Sequence, residues 1–376
     1  MTRPGRTALL PPPPALPVRS QDYYGFLRTP RYRWWKGLLA ALALLVGFLV
    51  VDGVLAAAGL IVDVILGAVS PQDLRGAANG VIPIGPATFI GNNLGLALLI
   101  PLVMLLARVF FGQTPGWSAS VVGRFRWRWL GWCLLVVGLP WCVLLTVSTA
   151  ATGGFPTPVL TPSVWLMLGL TLLTTPLQCA GEEWAFRGLL PRCFAAMVPQ
   201  PAVGTVVGVA VSSLLFMTAH AAADPWLNAF YFGFGLVMSA LTWRTGGLEA
   251  AVMFHTANNL TGLIPVVLTG DYASIGDRGA GSGSPAVLLP LAVGVGLVFL
   301  TDLVRRRRGV TRTAAPGLDL LPPPAMTSLP PAGMSFPPAG TSLPPARDSD
   351  SRESGDSLGP YEHRDQPPGP GGEQRP

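Results

Sequence analysis

The chain of 376 residues contains few charged side chains: Asp, Glu, Lys and Arg together make up 12% of it. Soluble domains have about 25%, and half of the residues here are hydrophobic. The composition therefore excludes an ordinary soluble protein. Apolar stretches of about 20 residues cross a bilayer as helices, whose backbone groups bond internally. We therefore predict an all-α polytopic membrane protein.

Lysine is almost absent, and arginine carries nearly all of the positive charge, which is typical of a GC-rich bacterial genome. The net charge of +6 does not indicate nucleic acid as a partner, because most basic residues flank apolar runs, where membrane topology explains them. The four cysteines form no CxxC motif, so we expect them to be small buried hydrophobic side chains. The basic, Pro-rich N-terminus has no apolar core and no AxA-type cleavage site, so no signal peptide is predicted.

Eight apolar stretches are long enough to cross a bilayer. They lie at about 37–58, 90–111, 129–150, 163–180, 203–222, 226–243, 247–268 and 285–304. Arginine is concentrated before the first span, in the second, fourth and sixth connections, and after the last span. Because basic residues favour the cytoplasmic side, about eight transmembrane helices with both termini in the cytoplasm of a bacterial plasma membrane are predicted.

Composition divides the chain into five segments. A basic, Pro-rich cytoplasmic segment is followed by the first transmembrane helices, a catalytic core, the last transmembrane helix with its basic stop, and a Pro/Gly-rich tail. The tail repeats "LPPAGMS", "FPPAGTS" and "LPPARDS" and has too little apolar surface to fold, so we expect it to be disordered. A docking role for an unknown partner and a plain solvated tail both remain open. The predicted boundaries are 1–36, 37–160, 161–270, 271–308 and 309–376.

A few strongly polar side chains interrupt the apolar spans. A charge at the bilayer centre costs on the order of 3 kcal/mol even on lenient scales. Three charges in the fourth span alone could therefore cost about 10 kcal/mol unless they face one another or water. The polar residues are Asp52 and Asp63 in the first span, Glu182, Glu183 and Arg187 in the fourth, His220 in the fifth, and His255, Asn258 and Asn259 in the seventh.

Helical spacing predicts which of these residues share a face. Residues four apart lie on one side of a helix, so Glu183 can pair with Arg187, whereas Glu182 lies about 100° away and lacks that partner. Phe216 with His220, and His255 with Asn259, are likewise four apart. If the three faces converge, they supply a base, a group that orients it, and donors for a developing oxyanion.

The elements Glu-Glu-x-x-x-Arg, Phe-x-x-x-His and His-x-x-x-Asn occur in this order on three predicted helices. This signature resembles the CAAX prenyl protease and bacteriocin-processing family of intramembrane proteases, also called CPBP or Abi. The segment "FGFGLVMSALTWRTGGLEAAVMFHTANN" is similar to that family as well. The resemblance covers about residues 165–268, whereas the N-terminal spans match only in kind and the tail does not match.

The resemblance implies an intramembrane endopeptidase that cleaves a membrane-embedded or membrane-anchored protein or peptide. In this family Glu182 would activate water together with His220, and His255 and Asn259 would stabilise the tetrahedral intermediate. Glu183 and Arg187 would hold the helix in place, although a purely structural pair is also open. Asn258 lies three residues after His255, one fewer than the spacing of four that the His-x-x-x-Asn motif requires. Phe216 belongs to the supporting residues.

A metal ion remains an open question. Glu182, His220 and His255 form a zinc-compatible set, and the family is often described as metalloproteases. The compact HExxH arrangement is absent, however, and the same side chains can activate water without a metal. Zinc is therefore possible but not required.

Two other functions also explain buried carboxylates and histidines. An ion- or proton-coupled transporter places such groups inside the membrane, but the two halves of this chain show no inverted repeat. A non-catalytic scaffold or immunity protein could keep the fold without the chemistry. The intact motif favours the enzyme.

The predicted depths of the motif residues set a condition on the enzyme. His220 is expected near the outer end of the fifth span, and His255 only about 12 Å into the seventh. The three motifs can converge only if the fourth helix extends to about residue 197 and the fifth helix begins deeper in the membrane than the predicted span 203–222 implies.

Overall fold

The computed structural model describes residues 14–77, 83–151, 153, 155, 157–272, 275 and 279–318. Within these ranges the protein is built of helices and two isolated β-bridges, so the all-α prediction is confirmed. Most of the predicted tail, residues 319–376, lies outside the described residues.

The α-helices follow one another with short connections. In chain order they are α1 Trp34–Ile65, α2 Pro71–Ala77, α3 Pro86–Ala97, α4 Leu99–Phe111, α5 Trp127–Cys133, α6 Leu139–Ala151, α7 Pro162–Glu183, α8 Leu190–Met197, α9 Pro201–Ala219, α10 Pro225–Thr245, α11 Glu249–Thr269 and α12 Leu288–Arg307. π-Helical turns join α5 to α6 and α7 to α8, so each of these pairs forms one long helical segment.

Seven helical segments of the described residues are long and apolar enough to cross a membrane. They correspond to all the predicted spans except the sixth. That span coincides with α10, which has 21 residues but is less apolar, because it contains glycines, hydroxyl side chains and Asn228. The seven segments are Trp34–Ile65, Pro86–Phe111, Trp127–Ala151, Pro162–Met197, Pro201–Ala219, Glu249–Thr269 and Pro285–Arg307.

The chain before α1 and the chain after α12 lie at the same end of the helices. Gln21 and Ala314 form an antiparallel β-bridge, with both N–H···O distances 3.0 Å. Next to it, the Trp243 indole at the end of α10 donates to the Asp22 carboxylate at 2.8 Å. An even number of crossings would bring these segments to one side, and this geometry favours α10 as a crossing in addition to the seven apolar segments. Which side of the membrane this end faces remains a prediction.

The predicted tail therefore begins with a structured segment. Besides the Ala314 bridge, the Gly317 N–H donates to the Pro17 carbonyl at 2.8 Å. The Arg312 guanidinium stacks on Trp243 with its carbon 4.2 Å from the ring centre. Residues 309–318 thus pack on the N-terminal segment and on the end of α10.

The buried carboxylate of Asp63, for which the sequence indicates no partner, caps the start of α3. It accepts hydrogen bonds from the backbone N–H of Ala87 at 3.0 Å, and from the N–H and hydroxyl of Thr88 at 2.7 and 2.6 Å. The first N–H groups of a helix lack intrahelical partners, and a carboxylate also suits the positive end of the helix dipole. Asp63 therefore ties α1 to α3.

Close packing of α7 against α3 depends on Gly181, the residue before the two glutamates. A Cβ atom at this position would come within 1.9 Å of the Leu96 carbonyl oxygen. Only glycine allows the two backbones to approach this closely. The crossing of α7 and α3 therefore positions Glu182 in the interior.

Candidate active site

The glutamate motif lies where α7 changes into a π-helical turn. α7 ends at Glu183, the turn covers Trp184–Leu189, and α8 carries the helix on to Met197. Such π-turns are frequent at functional sites. The Ser212 hydroxyl of α9 donates to the Phe186 carbonyl inside the turn. The fourth helix thus has the length that convergence of the motifs requires.

Four ionisable side chains from α7, the π-turn and α11 form a buried cluster. His255 Nδ1 lies 2.7 Å from Glu183 Oε1, and its Nε2 lies 3.6 Å from Glu182 Oε2. Arg187 Nη1 is 3.2 Å from Glu183 Oε1. Between 0 and 7% of each residue is exposed. The structure therefore brings His255 between the two adjacent glutamates.

Several polar atoms of the cluster have no hydrogen-bond partner of good geometry within the described part of the chain. They are Glu182 Oε2, Glu183 Oε2 and both terminal nitrogens of Arg187. Buried polar groups are nearly always hydrogen-bonded, and leaving one unbonded costs about 1–3 kcal/mol. The exception at Glu182 Oε2 is notable because this oxygen faces His255 Nε2.

A chain of side-chain amides leads to the other oxygen of Glu182. The Trp141 indole donates to Asn258 at 3.3 Å, Asn258 donates to Asn259 at 3.1 Å, and Asn259 donates to Gln178 at 3.3 Å. Gln178 in turn donates to Glu182 Oε1. Every donor in the chain points towards the carboxylate, so the chain fixes the orientation of Glu182.

Sequence reasoning missed Gln178 and Trp141, and it set Asn258 aside. The spacing of Gln178, four residues before Glu182, could have indicated that the two share a helical face. Trp141 lies on α6, which carries no motif residue, so its contact with Asn258 could not have been predicted from spacing.

Phe216 packs against both histidines and the arginine of the motif. The Arg187 guanidinium carbon lies 4.0 Å from the Phe216 ring centre, a cation–π contact. The ring centre of Phe216 is 4.5 Å from that of His220 and 6.1 Å from that of His255. Phe216 therefore places the Phe-x-x-x-His motif in contact with residues of the other two motifs.

His220 lies at the end of α9, beside the cluster. Its Nδ1 is 2.8 Å from the Phe216 carbonyl oxygen, and its ring stacks on Tyr231 with centres 3.9 Å apart. The carbonyl can only accept, so Nδ1 carries the proton and Nε2 is the basic nitrogen. The next residue, Ala221, has a φ of 49°, which ends the helix at this point.

The three predicted zinc ligands do not converge as a metal site. Within the described ranges, no group of three or more His, Cys, Asp or Glu side chains is arranged to hold a metal ion. Glu182 and His255 lie side by side, but His220 packs against Phe216 and Tyr231. This donor geometry does not fit tetrahedral zinc.

Residues 161–261 match the family model described as "Type II CAAX prenyl endopeptidase Rce1-like". The matched segment includes all three motifs, so the family resemblance drawn from the sequence is confirmed. An uncharacterized protein of Bacillus subtilis (strain 168), YyaK, is 32% identical over 99 residues, which are 26% of this chain and 33% of that protein. The match thus spans about a third of the length of this relative. No solved structure matches the chain.

Proposed function

We propose that this chain, whose residues 161–261 match the Rce1-like family, is an intramembrane endopeptidase that hydrolyses a peptide bond of a membrane-embedded or membrane-anchored protein. One observation carries the proposal. The buried Glu182 Oε2 has no hydrogen-bond partner in the described structure and faces His255 Nε2 at 3.6 Å. A carboxylate and an imidazole held in this way suit general acid–base catalysis.

The charges of the cluster leave one proton to be shared. Glu183 and Arg187 neutralise each other, so the cluster is neutral when a single additional proton is bound by Glu182 and His255 together. Because a net charge is costly inside a membrane, the neutral form is favoured. The Glu183 carboxylate accepts from His255 Nδ1, which leaves Glu182 Oε2 and His255 Nε2, 3.6 Å apart, as the two atoms that can hold this proton.

The reaction follows from this arrangement. A water molecule beside Glu182 Oε2 gives a proton to the carboxylate as its oxygen bonds to the carbonyl carbon of the substrate. The resulting tetrahedral intermediate breaks its C–N bond, and the proton passes from Glu182 to the departing amine. His220, with its basic Nε2, is the second group that we assign to the activation of water.

Donors for the oxyanion are supplied by His255 and Asn259. The Asn259 amide has two N–H bonds, and one of them donates to Gln178. The second N–H can donate to the developing oxyanion, as can His255 Nε2 when it holds the shared proton. Preorganised donors of this kind are worth about 3–4 kcal/mol each when removed from hydrolytic enzymes.

The remaining motif residues position these groups. Glu183 fixes the ring orientation and tautomer of His255, and Arg187 holds Glu183 while stacking on Phe216. Gln178 orients the Glu182 carboxylate. None of them needs to contact the substrate.

The proposal is tested with purified protein in phosphatidylethanolamine–phosphatidylglycerol vesicles. The substrates are synthetic single-span peptides with varied juxtamembrane sequences, and mass spectrometry reports the products. We expect wild-type protein to cleave a subset of peptides, and His255→Ala and His220→Ala each to abolish cleavage without loss of folded protein. Arg244→Gln, remote from the cluster, is the matched control and should cleave normally. Equal products from wild type and both histidine variants would contradict the proposal.

A further inference from the structure

An apolar cavity of about 280 Å³ lies between α10 and α12. Two of its wall residues, Val237 and Val298, are only 6% exposed and lie at its inner side. Leu236 and Phe299, at its outer side, are 38% and 63% exposed. The cavity therefore opens sideways at an apolar surface of the helices, and such surfaces of membrane proteins contact lipid.

One end of the cavity is aromatic and cationic. Trp243 and Arg244 complete the wall at the end of α10, and Arg244 lies eight residues beyond Leu236, a rise of about 12 Å. Two guanidinium carbons lie over the Trp243 ring, that of Arg244 at 4.9 Å and that of Arg312 at 4.2 Å from its centre. Tryptophan is enriched where membrane helices meet the water interface, so this end suits the level of lipid headgroups.

A single carboxylate holds three guanidinium groups beside this end. Asp302 of α12 accepts from Nε of Arg305 at 2.8 Å and from Nε of Arg306 at 3.0 Å. It also accepts from Nη1 of Arg244 at 3.4 Å. Three positive charges and one negative charge leave a surplus of +2, which attracts an anion.

Arg306 is the arginine best placed to bind that anion. Its side chain is 63% exposed, against 28% for Arg244 and 13% for Arg305. Asp302 engages its Nε and Nη2, and its Nη1 can donate to a phosphate oxygen, as guanidinium groups commonly do. The exposed donor and the apolar cavity thus adjoin each other along α12.

We propose that the cavity and the arginines around Asp302 bind an anionic phospholipid, with its phosphate at Arg306 and part of one acyl chain in the cavity. The volume is below the roughly 300–1,000 Å³ of pockets that hold whole ligands, so it suits part of a lipid whose remainder lies in the bilayer. Basic pockets between transmembrane helices bind anionic headgroups. The described residues that line the cavity include no motif residue, and the proposal does not rest on the peptidase function.

Another apolar cavity provides a matched control, because no cation adjoins it in its walls. It measures about 230 Å³ and lies between α6, α10, α11 and the start of α12. The described residues that line it include no charged side chain. Leu227 and Leu236 are both leucines of α10, and each lines one of the two cavities. A lipid that needs only an apolar cavity would use both, whereas the proposed lipid uses only the cavity beside Asp302.

The first experiment measures lipid binding to the purified full-length protein by native mass spectrometry. The ligands are phosphatidylglycerol and phosphatidylcholine with identical acyl chains, and inorganic phosphate. Phosphatidylglycerol should bind at least about 10-fold more tightly than phosphatidylcholine, because the site has a surplus of positive charge. Arg306→Gln should weaken phosphatidylglycerol binding about fivefold, the effect of one arginine on an anionic lipid.

Arg307→Gln is the matched control, because this exposed arginine has the same charge but lies about 100° around α12. It should weaken binding by less than about twofold, since exposed charges are screened by salt. Equal losses in the two variants, or equal affinity for the two lipids, would overturn the proposal. Inorganic phosphate that binds as tightly as phosphatidylglycerol would also overturn it, because the cavity would then contribute nothing.

The second experiment tests whether an acyl chain occupies the cavity. The protein is irradiated in phosphatidylethanolamine vesicles that contain a small fraction of phosphatidylglycerol with a diazirine in one acyl chain. Crosslinks should form at Val237 or Val298, which bulk lipid does not reach. Leu236→Trp should abolish them by filling the cavity, and Leu227→Trp should leave them unchanged. Equal labelling of both cavities, or the same crosslinks from diazirine-bearing phosphatidylcholine, would contradict the proposed site.

Discussion

Helix α11 takes part in two buried ionic contacts that differ in how completely they are bonded. At its first residue, Glu249 holds Arg126 with both carboxylate oxygens. Oε1 accepts from the backbone N–H and Nε of Arg126, each at 2.8 Å, and Oε2 accepts from Nη2 at 2.6 Å. Six residues later, His255 lies between Glu182 and Glu183, and oxygens of both glutamates have no hydrogen-bond partner among the described residues.

We interpret this difference as one between a structural role for the Arg126–Glu249 pair and a catalytic role for the cluster at His255. Arg126 also donates to the carbonyls of Thr245, at the end of α10, and Thr311, after α12. The pair therefore joins the start of α5 to α10, to α11 and to the segment after α12. The fold thus uses both oxygens of Glu249 and every nitrogen of the Arg126 guanidinium. The cluster at His255 keeps unused acceptors in the interior, which costs stability, and an oxygen left in this way can bind water and take a proton.

The largest effect on stability is expected for Glu249→Gln. It removes the carboxylate that binds the Arg126 guanidinium, whose side chain is 11% exposed, and removing one partner of a largely buried ion pair costs about 3–5 kcal/mol. The measurement is thermal unfolding in detergent together with the yield of folded protein. Arg126→Gln in the same chain should recover part of the loss. If Glu249→Gln unfolds at the wild-type temperature, the pair is not structural.

A somewhat smaller loss is expected for Glu183→Gln, about 3 kcal/mol, because Arg187 contacts a single oxygen of Glu183 at 3.2 Å, whereas Arg126 is bound by both oxygens of Glu249. Adding Arg187→Gln should restore much of the thermal stability. It should not restore cleavage, because His255 Nδ1 still lacks the carboxylate that orients it.

The double variant thus tests whether Glu183 serves the fold alone. If the double variant cleaves at the wild-type rate, Glu183 and Arg187 form a purely structural pair, and the orienting role of Glu183 is wrong.

The two aspartates of α1 also differ in how completely their carboxylates are hydrogen-bonded, and we expect smaller effects on stability from them. Both oxygens of Asp63 are used to cap α3, whereas Oδ1 of Asp52 is buried without a hydrogen-bond partner in the described structure. Asp63→Ala should therefore lower the free energy of unfolding by about 1–2 kcal/mol, as the loss of a helix cap does. Asp52→Ala should lower it by less. Chemical unfolding in detergent compares the two, and equal losses would contradict the capping role.

Much of the fold could be predicted from the sequence because the bilayer imposes it. Apolar length indicated the positions of most helices, whereas the sidedness inferred from the clustering of arginine stays a prediction. The sixth predicted span coincides with α10, but this helix is not among the seven described segments that are apolar enough to cross a membrane. The packed segment 309–318 was not anticipated, because its partners Pro17, Gln21 and Trp243 are distant in the chain.

The candidate site was predictable where its members share a helix. The spacing of Glu183 and Arg187 indicated their pairing, which the structure contains at 3.2 Å. Contacts between helices were not predictable from spacing. No spacing in the sequence indicated that His255, rather than His220, lies next to both glutamates. Nor did any spacing indicate that three amides connect Trp141 on α6 with Glu182.

The central claim is that Glu182 remains incompletely bonded because it acts in catalysis. The most direct measurement determines, for Glu182→Gln, both the cleavage rate of the single-span peptides and the thermal unfolding temperature. Glutamine keeps the size and the contact with Gln178 but cannot take a proton from water. The account predicts a loss of cleavage of at least about 100-fold with an unfolding temperature close to that of wild type. Retained cleavage, or a loss of stability as large as that of Glu249→Gln, would contradict it.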